Sequence, residues 1–283
     1  HQWRTVELPD GFVDPVVVAG PLSLNGADPS VIRIRNVTAD SFDVRLQEFE
    51  YLDGEHTIET FSYLAMEKGA HTLNDGTVVE AGEFSTATTH TSFEAVAFNG
   101  RFAQAPVVMA SVNSFNDAST VVSRIRNVTA TSFDYQMQEQ EGSDQVHGEE
   151  VIGYVAWEPS SGSSNGVMYE VGTTPDQVTD SEYAVDFSSS FASVPVFLAN
   201  QQTCDGPNTA NVRYTDKTQA MAKVLVDEEQ ASDSEVAHTT EQVGFVCLTA
   251  YDQDSSTNTD SDSDELTDSE ETGTYGTDPD NPD

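Results

Sequence analysis

Lysine is almost missing from this sequence. Only Lys68, Lys217 and Lys223 occur, and lysine and arginine together number 11 against 49 aspartates and glutamates, a formal charge of −38. Phosphate-backbone binding depends on cations that displace counterions, so nucleic acid is excluded as a partner. Docking on anionic lipid is disfavoured for the same reason. No apolar run reaches the roughly 18 residues of a membrane-spanning helix, so no membrane insertion is expected. Cysteine occurs twice, at Cys204 and Cys247. Without a CxxC or a Cys/His cluster, zinc has no support. The two thiols either form one disulfide, if their strands are neighbours, or stay buried and free. GxSxG, HExxH and glycine-rich phosphate loops are also missing, and the chain reads as non-enzymatic.

Aromatic and β-branched residues are present in quantity, including 14 Phe and 9 Tyr. A packed core is therefore expected despite the charge. From Asp252 onward there are 12 acidic residues and no basic one, which leaves 37 acidic and 11 basic in the preceding body. The acidity is thus not confined to a tail. Such a surface repels itself. At molar salt the Debye length falls to about 3 Å and the repulsion is suppressed. The composition resembles that of proteins from salt-loving archaea. The chain begins at His1 with no charged-then-apolar leader, which gives the expectation of a secreted or cell-surface protein whose signal has been removed.

The sequence repeats itself. Phe12-Val-Asp-Pro15-Val-Val-Val returns as Phe102-Ala-Gln-Ala-Pro106-Val-Val-Met and as Phe191-Ala-Ser-Val-Pro195-Val-Phe-Leu. Arg33-Ile-Arg-Asn-Val-Thr38 returns as Arg124-Ile-Arg-Asn-Val-Thr129 and, degraded, as Arg213-Tyr-Thr. Tyr63-Leu-Ala-Met-Glu67 matches Tyr154-Val-Ala-Trp-Glu158 and Phe245-Val-Cys-Leu-Thr249. Three blocks sharing one period define three repeats. Each reads as β: Phe42, Val44 and Leu46 alternate with Asp43, Arg45 and Gln47, the period of a half-buried strand. Asp53-Gly54 and Asn74-Asp75-Gly76 read as hairpin turns. The expected fold is all-β, with small antiparallel sandwiches at 1–92, 93–182 and 183–252 and an acidic tail at 253–283. The third sandwich is expected to lack a counterpart of the 69–82 segment.

The tail carries the sharpest local pattern. Asp260, Asp262, Asp264, Asp268 and Glu271 stand at positions 1, 3, 5, 9 and 12 of a calcium loop, with the carbonyl of Leu266 at position 7. Alternating acids in a tight turn supply the oxygens that calcium needs. Glu265 replaces the usual glycine at position 6, which weakens the turn. The run to Asp278 resembles a thrombospondin type 3 calcium repeat, and calcium is the implied cofactor.

The blocks Trp3-Arg-Thr-Val-Glu-Leu8, Phe12 to Val18, Arg33 to Thr38 and Phe42-Asp-Val-Arg-Leu-Gln-Glu48 resemble the H-type lectin domain. That resemblance implies a six-stranded antiparallel sandwich and a trimer, here a covalent pseudo-trimer. It also implies sugar sites in loops at subunit boundaries, with a preference for N-acetylgalactosamine. The family's arginine before the third strand is replaced near Pro29. Its aromatic–histidine pair falls at Phe49-Glu50, at Gln140-Glu141 and at Gln230-Ala231, so only the aromatic survives. Phe49 and Tyr51 are the residues left to stack on a sugar.

Three further features recur. His56/Glu59, His147/Glu150 and His238/Glu241 form a repeated His-x-x-Glu. It reads as a structural histidine at a strand start or as three imidazoles converging on a metal or ligand site. Seven of the 11 cations, among them Arg33, Arg35 and Arg45, lie on the third and fourth strands of the repeats. They are expected to pair with carboxylates across the strand or across the contact between repeats, or else to hold a sugar or sulfate. Asn36 and Asn127 head N-x-T glycosylation acceptor sequons at equivalent positions.

Two functions fit. One is a secreted carbohydrate-binding protein with glycans as partners. The other is a structural subunit of an extracellular filament, sheath or surface layer, assembling with copies of itself. Either way the charge predicts that the melting temperature rises from millimolar to molar KCl, and rises again when calcium is added. Calorimetry across a salt series measures both; a flat response to either variable contradicts this reading of the charge.

Overall fold

The computed structural model describes residues 2–90 and 92–249. They belong to one compact unit; the calcium-loop positions Asp260, Asp262, Asp264, Leu266, Asp268, Glu271 and Asp278 lie outside the described residues. Among the described residues the secondary structure is strand alone. The first repeat supplies β1 (Arg4–Glu7), β2 (Pro15–Ala19), β3 (Leu22–Ser23), β4 (Ser30–Arg35), β5 (Ser41–Glu48) and β6 (Tyr63–Glu67). A hairpin, β7 (Gly69–Thr72) and β8 (Val78–Thr86), leads to β9 (Glu94–Ala97), β10 (Val107–Val112), β11 (Val121–Arg126), β12 (Ser132–Glu139) and β13 (Glu150–Trp157). A second hairpin, β14 (Ser160–Ser164) and β15 (Val167–Thr173), precedes β16 (Tyr183–Asp186), β17 (Val196–Gln201), β18 (Ala210–Lys217), β19 (Met221–Glu228) and β20 (Val243–Leu248).

Each repeat is a small sandwich. Its outer sheet is β1-β5-β4, then β11-β12-β9, then β16-β19-β18. Its inner sheet is β2-β6, then β10-β13-β8-β7, then β14-β15-β20-β17. The inner strands explain the Pro-Val-Val-Val signature. Val17 enters its own repeat's core beside Ile34 and Phe42. Val16 and Val18 face the other way, into a core shared with Val107, Met109, Trp157, Leu198 and Val246 from the other two repeats. Strands covered on both faces read as continuous apolar runs rather than as alternation. A 90-residue sandwich buries only about 60–65% of its unfolded surface, and the shared core adds to that. The ring of repeats closes through the backbone too, because β3 pairs in parallel with β18 (Leu22 with Arg213, Ser23 with Tyr214).

Several sequence expectations need correcting. The hairpin β7–β8 does not complete the first sandwich. β8 pairs with β13 along its whole length, and β15 pairs with β20. By hydrogen bonding, the second repeat therefore starts near residue 69 and the third near 160, not at 93 and 183. The repeat without a hairpin is the first, not the third. Asn74-Asp75-Gly76 does turn a hairpin, β7 onto β8, with Gly76 at φ +91°. Asp53-Gly54 turns the chain, Gly54 being at φ +78°, but no hairpin forms there: β6 pairs with β2 and not with β5.

Cys204 and Cys247 are free. Cys247 stands opposite Phe197 on β17, and Gln201 marks the other end of that strand pairing. At about 3.4 Å per residue those two positions are some 13 Å apart, and Cys204 lies beyond Gln201. The Cα separation of a disulfide is at most about 6.8 Å, so the thiols stay separate, with Cys247 sunk in the third repeat's core.

Candidate functional site

Arg33, Arg124 and Arg213, at the same place in the three repeats, are the largest fully buried side chains among the described residues. Strand alternation places Arg33 opposite Ile34, as the period requires. The face carrying Arg33 is covered as well, because it meets the next repeat. Arg33 donates to Glu150 Oε1 at 3.3 Å and to the carbonyls of Ser119 (2.8 Å) and Asp117 (3.3 Å). Arg124 repeats this with Glu241 Oε1 at 3.1 Å and the carbonyls of Asn208 and Gly206. Arg213 donates to Glu59 Oε1 at 3.0 Å, to the Ser23 carbonyl and to Asp227 of its own repeat. First repeat reaches second, second reaches third, and third reaches first. The expected pairing across the contact between repeats is therefore present, and it closes a ring.

Each acceptor glutamate is the last residue of a His-x-x-Glu. His56 contacts Glu59 at 3.1 Å and Glu48 at 2.9 Å. His147 lies 3.0 Å from Glu139 and 3.4 Å from Glu150. His238 lies 2.7 Å from Glu228 and 3.2 Å from Glu241. Residues i and i+3 meet here because the segments holding the histidines are irregular, not strands. The three imidazoles do not converge; each is held by its own two carboxylates, the structural alternative. Asp28, Glu48 and His56 bring ligand atoms within 4.8 Å of one another, but both ring nitrogens of His56 already face carboxylates.

A short loop completes each node. Glu150 accepts the Ser114 hydroxyl and the backbone N–H groups of Asn116 (3.0 Å) and Asp117 (3.1 Å). Glu59 takes Ser23, Asn25 and Gly26 in the same way, and Glu241 takes Thr203, Asp205 and Gly206. A buried carboxylate is tolerable only with such saturation. Burial alone would raise the Glu150 pKa, but hydrogen bonds from His147, Ser114 and the backbone outweigh it and bring it down to about 2. Glu59 and Glu241 are lowered too, against the same burial. Burial would lower His147 and His238, yet their glutamates raise both.

The residues expected to hold a sugar are placed as follows. Phe49 is 3% exposed and packs with Val31 and Val122 at the first–second junction. His56 and Arg33 are buried in the nodes just described. Tyr51 is 38% exposed, but its hydroxyl accepts the Gln230 N–H at 2.8 Å from the third repeat. The loops aligned with the family's aromatic–histidine pair serve as junctions: Thr120 donates to the Glu48 carbonyl at 2.8 Å, and the Glu50 N–H donates to Gln140. A cavity of about 80 Å³ lies between the repeats, lined by Gly20, Val31, Ser111, Val122, Asn200 and Asn211 among others. Ligand pockets run to about 300 Å³ or more, so it is too small for a sugar.

The outer arginines found a partner that the sequence reading missed. Arg35 lies 4.0 Å from the Trp3 ring centroid, and Arg45 lies 4.8 Å from Trp3 and 4.5 Å from Phe115. Arg126 sits 3.6 Å from the centre of Phe93. Arg35 also pairs with Asp43 at 3.2 Å. Asn36 and Asn127 are exposed and adopt positive φ, 52° and 51°. Each side-chain amide donates to an aspartate, Asp43 or Asp134. The outer carboxylates Glu48, Glu139 and Glu228 were also missed, though they recur with the same period and were findable by it.

No family model matches the chain, and no solved structure matches it. Over 262 residues it is 30% identical to halomucin of the archaeon Haloquadratum walsbyi, a stretch that covers 89% of this chain. The chain spans about 3% of the length of that curated relative. The likeness to a halophilic archaeal protein agrees with the acidic, lysine-poor composition.

Two outcomes are expected of the ring. Arg124→Met leaves Glu241 charged and buried without its guanidinium, so it costs about 3–5 kcal/mol in denaturant unfolding, while Arg35→Ala, at a partly exposed pair, costs under about 1 kcal/mol. Equal losses would contradict the ring. The second outcome concerns pH. The raised His147 and His238 give stability that is complete below their unfolded value of about 6.5 and is lost as pH rises through their folded values. The lowered Glu59, Glu150 and Glu241 give stability present above about pH 4.3 and lost as pH falls toward their folded values. Asp227, raised to about 6 by desolvation despite Arg213, and Glu141 and Glu229, also raised by burial, oppose that gain: their contribution is lost as pH rises from their unfolded values of about 4 toward their folded ones, before the histidines titrate. Subtracting the denaturation profile of a His147→Gln/His238→Gln variant from that of the parent isolates the imidazoles, and the difference should shrink above pH 6.5.

Proposed function

We propose that this chain is a non-catalytic structural block of an extracellular or cell-surface protein of a halophilic archaeon. The observation that carries the reading is that Arg33 and Phe49, two of the four residues nominated as ligand contacts, are buried in contacts between repeats, that the His56 ring is enclosed by Glu48 and Glu59 of its own repeat, and that the hydroxyl of Tyr51 takes an N–H from the third repeat. A surface glycan reader needs such groups free; a load-bearing block needs them locked. The H-type lectin resemblance then describes the sandwich and its three-fold association rather than the sugar chemistry. Halomucin is a relative of far greater length, and a three-repeat block suits a long polymer built of successive parts.

The calcium loop belongs to the same proposal. Asp260, Asp262, Asp264, Asp268, Glu271 and the Leu266 carbonyl hold calcium, with Asp278 contributing beyond the loop, and the bound ion stiffens the join to whatever follows. Calcium neutralises part of an acidic segment that repels itself. The full chain in molar KCl should bind calcium calorimetrically at about 10⁻⁴–10⁻³ M, in the range of extracellular modules, and Asp262→Asn/Asp264→Asn should abolish the heat. The same preparation on a glycan array should be silent. A reproducible glycan signal that Tyr51→Ala removes would restore the lectin reading, and it would do so whatever the calcium result.

A further inference from the structure

The inner sheets differ in one respect. β13 has β10 on one side and β8 on the other, and β20 lies between β17 and β15. Among the described residues β6, at the same place in the first repeat, pairs with β2 alone, and none of them lies along its second edge. Exposure follows: β13 and β20 are almost wholly buried, whereas no residue of β6 is.

The two occupied edges share a recognition pattern. β8 and β15 both carry Glu-x-Gly, as Glu80-Ala-Gly82 and Glu170-Val-Gly172. Gly82 pairs with Tyr154, and Gly172 pairs with Phe245. A Cβ on Gly82 would meet the Tyr154 ring at 2.5 Å, and one on Gly172 would meet Phe245 at 2.9 Å. The glycine therefore makes room for an aromatic ring lying over the strand. The glutamate reaches past that ring into the turn ahead of each repeat's Phe. Glu80 accepts the Tyr154 hydroxyl at 2.6 Å and the N–H groups of Asn99 and Gly100. Glu170 accepts the N–H groups of Ser188 (2.9 Å) and Ser189 (2.7 Å). Two residues before each glutamate, the backbone N–H is received by the end of the central strand: Val78 by Glu158 at 3.0 Å, Met168 by Thr249 at 3.1 Å.

The first repeat holds the receiving half of this pattern. Tyr63 stands where Tyr154 and Phe245 stand, yet it is 37% exposed. Glu67 occupies the place of Glu158. The turn Pro9–Gly11 occupies the place of Asn99-Gly100 and Ser188-Ser189; Pro9 has no N–H to give, which leaves the amides of Asp10 and Gly11, and among the described residues no side-chain oxygen receives them. What is missing is a strand bearing Glu-x-Gly. The connector from β8 to β9 is residues 87–93, and that from β15 to β16 is residues 174–182, whereas only residues 1–3 precede β1. A hairpin delivered as the other two are would end a few residues upstream of His1.

We propose that the open edge of β6 is the seat of a β-hairpin with a Glu-x-Gly strand, supplied by the polypeptide immediately upstream of the first repeat. Its glycine faces Tyr63, its glutamate caps the Pro9–Gly11 turn, and Glu67 receives its leading N–H. Main-chain pairing gives the affinity and the glycine–aromatic fit gives the register.

The test places a copy of residues 69–90 directly before His1 of the full chain, which reproduces the seven-residue connector ahead of β1. Hydrogen exchange followed by mass spectrometry compares the peptide spanning Tyr63–Glu67 with and without the copy. The copy should slow that peptide's exchange at least tenfold. The copy's own equivalents of Glu80→Gln and Gly82→Val, made in the added hairpin only, should abolish the gain while the native hairpins keep the protein folded. Unchanged exchange with the copy overturns the proposal. So does protection in the 283-residue chain already equal to that of β13, which would mean the edge is covered. Protection that grows with protein concentration would assign the edge to a second molecule and overturn the upstream source.

Discussion

A buried guanidinium set against a buried carboxylate is the interaction on which this molecule depends. Arg33, Arg124 and Arg213 each cross to the next repeat and meet a glutamate with no solvent access. Desolvating such a pair is costly, and attraction alone seldom offsets the cost. Here the carboxylate also receives a hydroxyl, two backbone amides and a histidine, so the charge is met from several sides. The guanidinium in turn donates to backbone carbonyls of the neighbouring loop. Arginine suits this task because its planar fork addresses carbonyl and carboxylate together.

The scarcity of cations acquires meaning from this arrangement. In a chain with 11 bases and 49 acids, three arginines are taken out of water, and others are placed over Trp3, Phe93 and Phe115. Little positive charge is left to offset the acidic surface. Self-repulsion is thus left to the solvent to screen, whereas the repeats are held together by pairs that salt reaches poorly. One protein uses both regimes: exposed charge that responds to ionic strength, and enclosed charge that does not.

Much of the fold was legible because it repeats. The β period of Phe42, Val44 and Leu46, the Pro-Val-Val-Val strands and the 90-residue spacing led to an all-β chain of small sandwiches. The boundaries were not legible, because Gly69–Thr86 follows the first repeat in sequence and pairs with the second in space, and periodicity alone does not say which side of a repeat a hairpin joins. The shortage of cations points to a carboxylate partner for Arg33, across the strand or across the contact between repeats, and only the structure selects the second. The burial of Phe49 and His56 was not legible, because a loop at a subunit boundary in a trimer reads the same in sequence whether it holds a ligand or a neighbour. The i, i+3 contact of His56 with Glu59 is not legible from a strand period, because it exists only where the segment is not a strand.

The ring has a direction, since each repeat gives an arginine and receives one. A change in the arginine of one repeat is therefore felt at the glutamate of the next, and the repeats cannot drift independently. The third repeat displays this. Its Arg-Ile-Arg-Asn-Val-Thr block has decayed to Arg213-Tyr-Thr, yet the one residue that the first repeat relies on is still there. Three copies of one sequence pattern thus stand or fall together, because the contact that closes the ring belongs to no single copy.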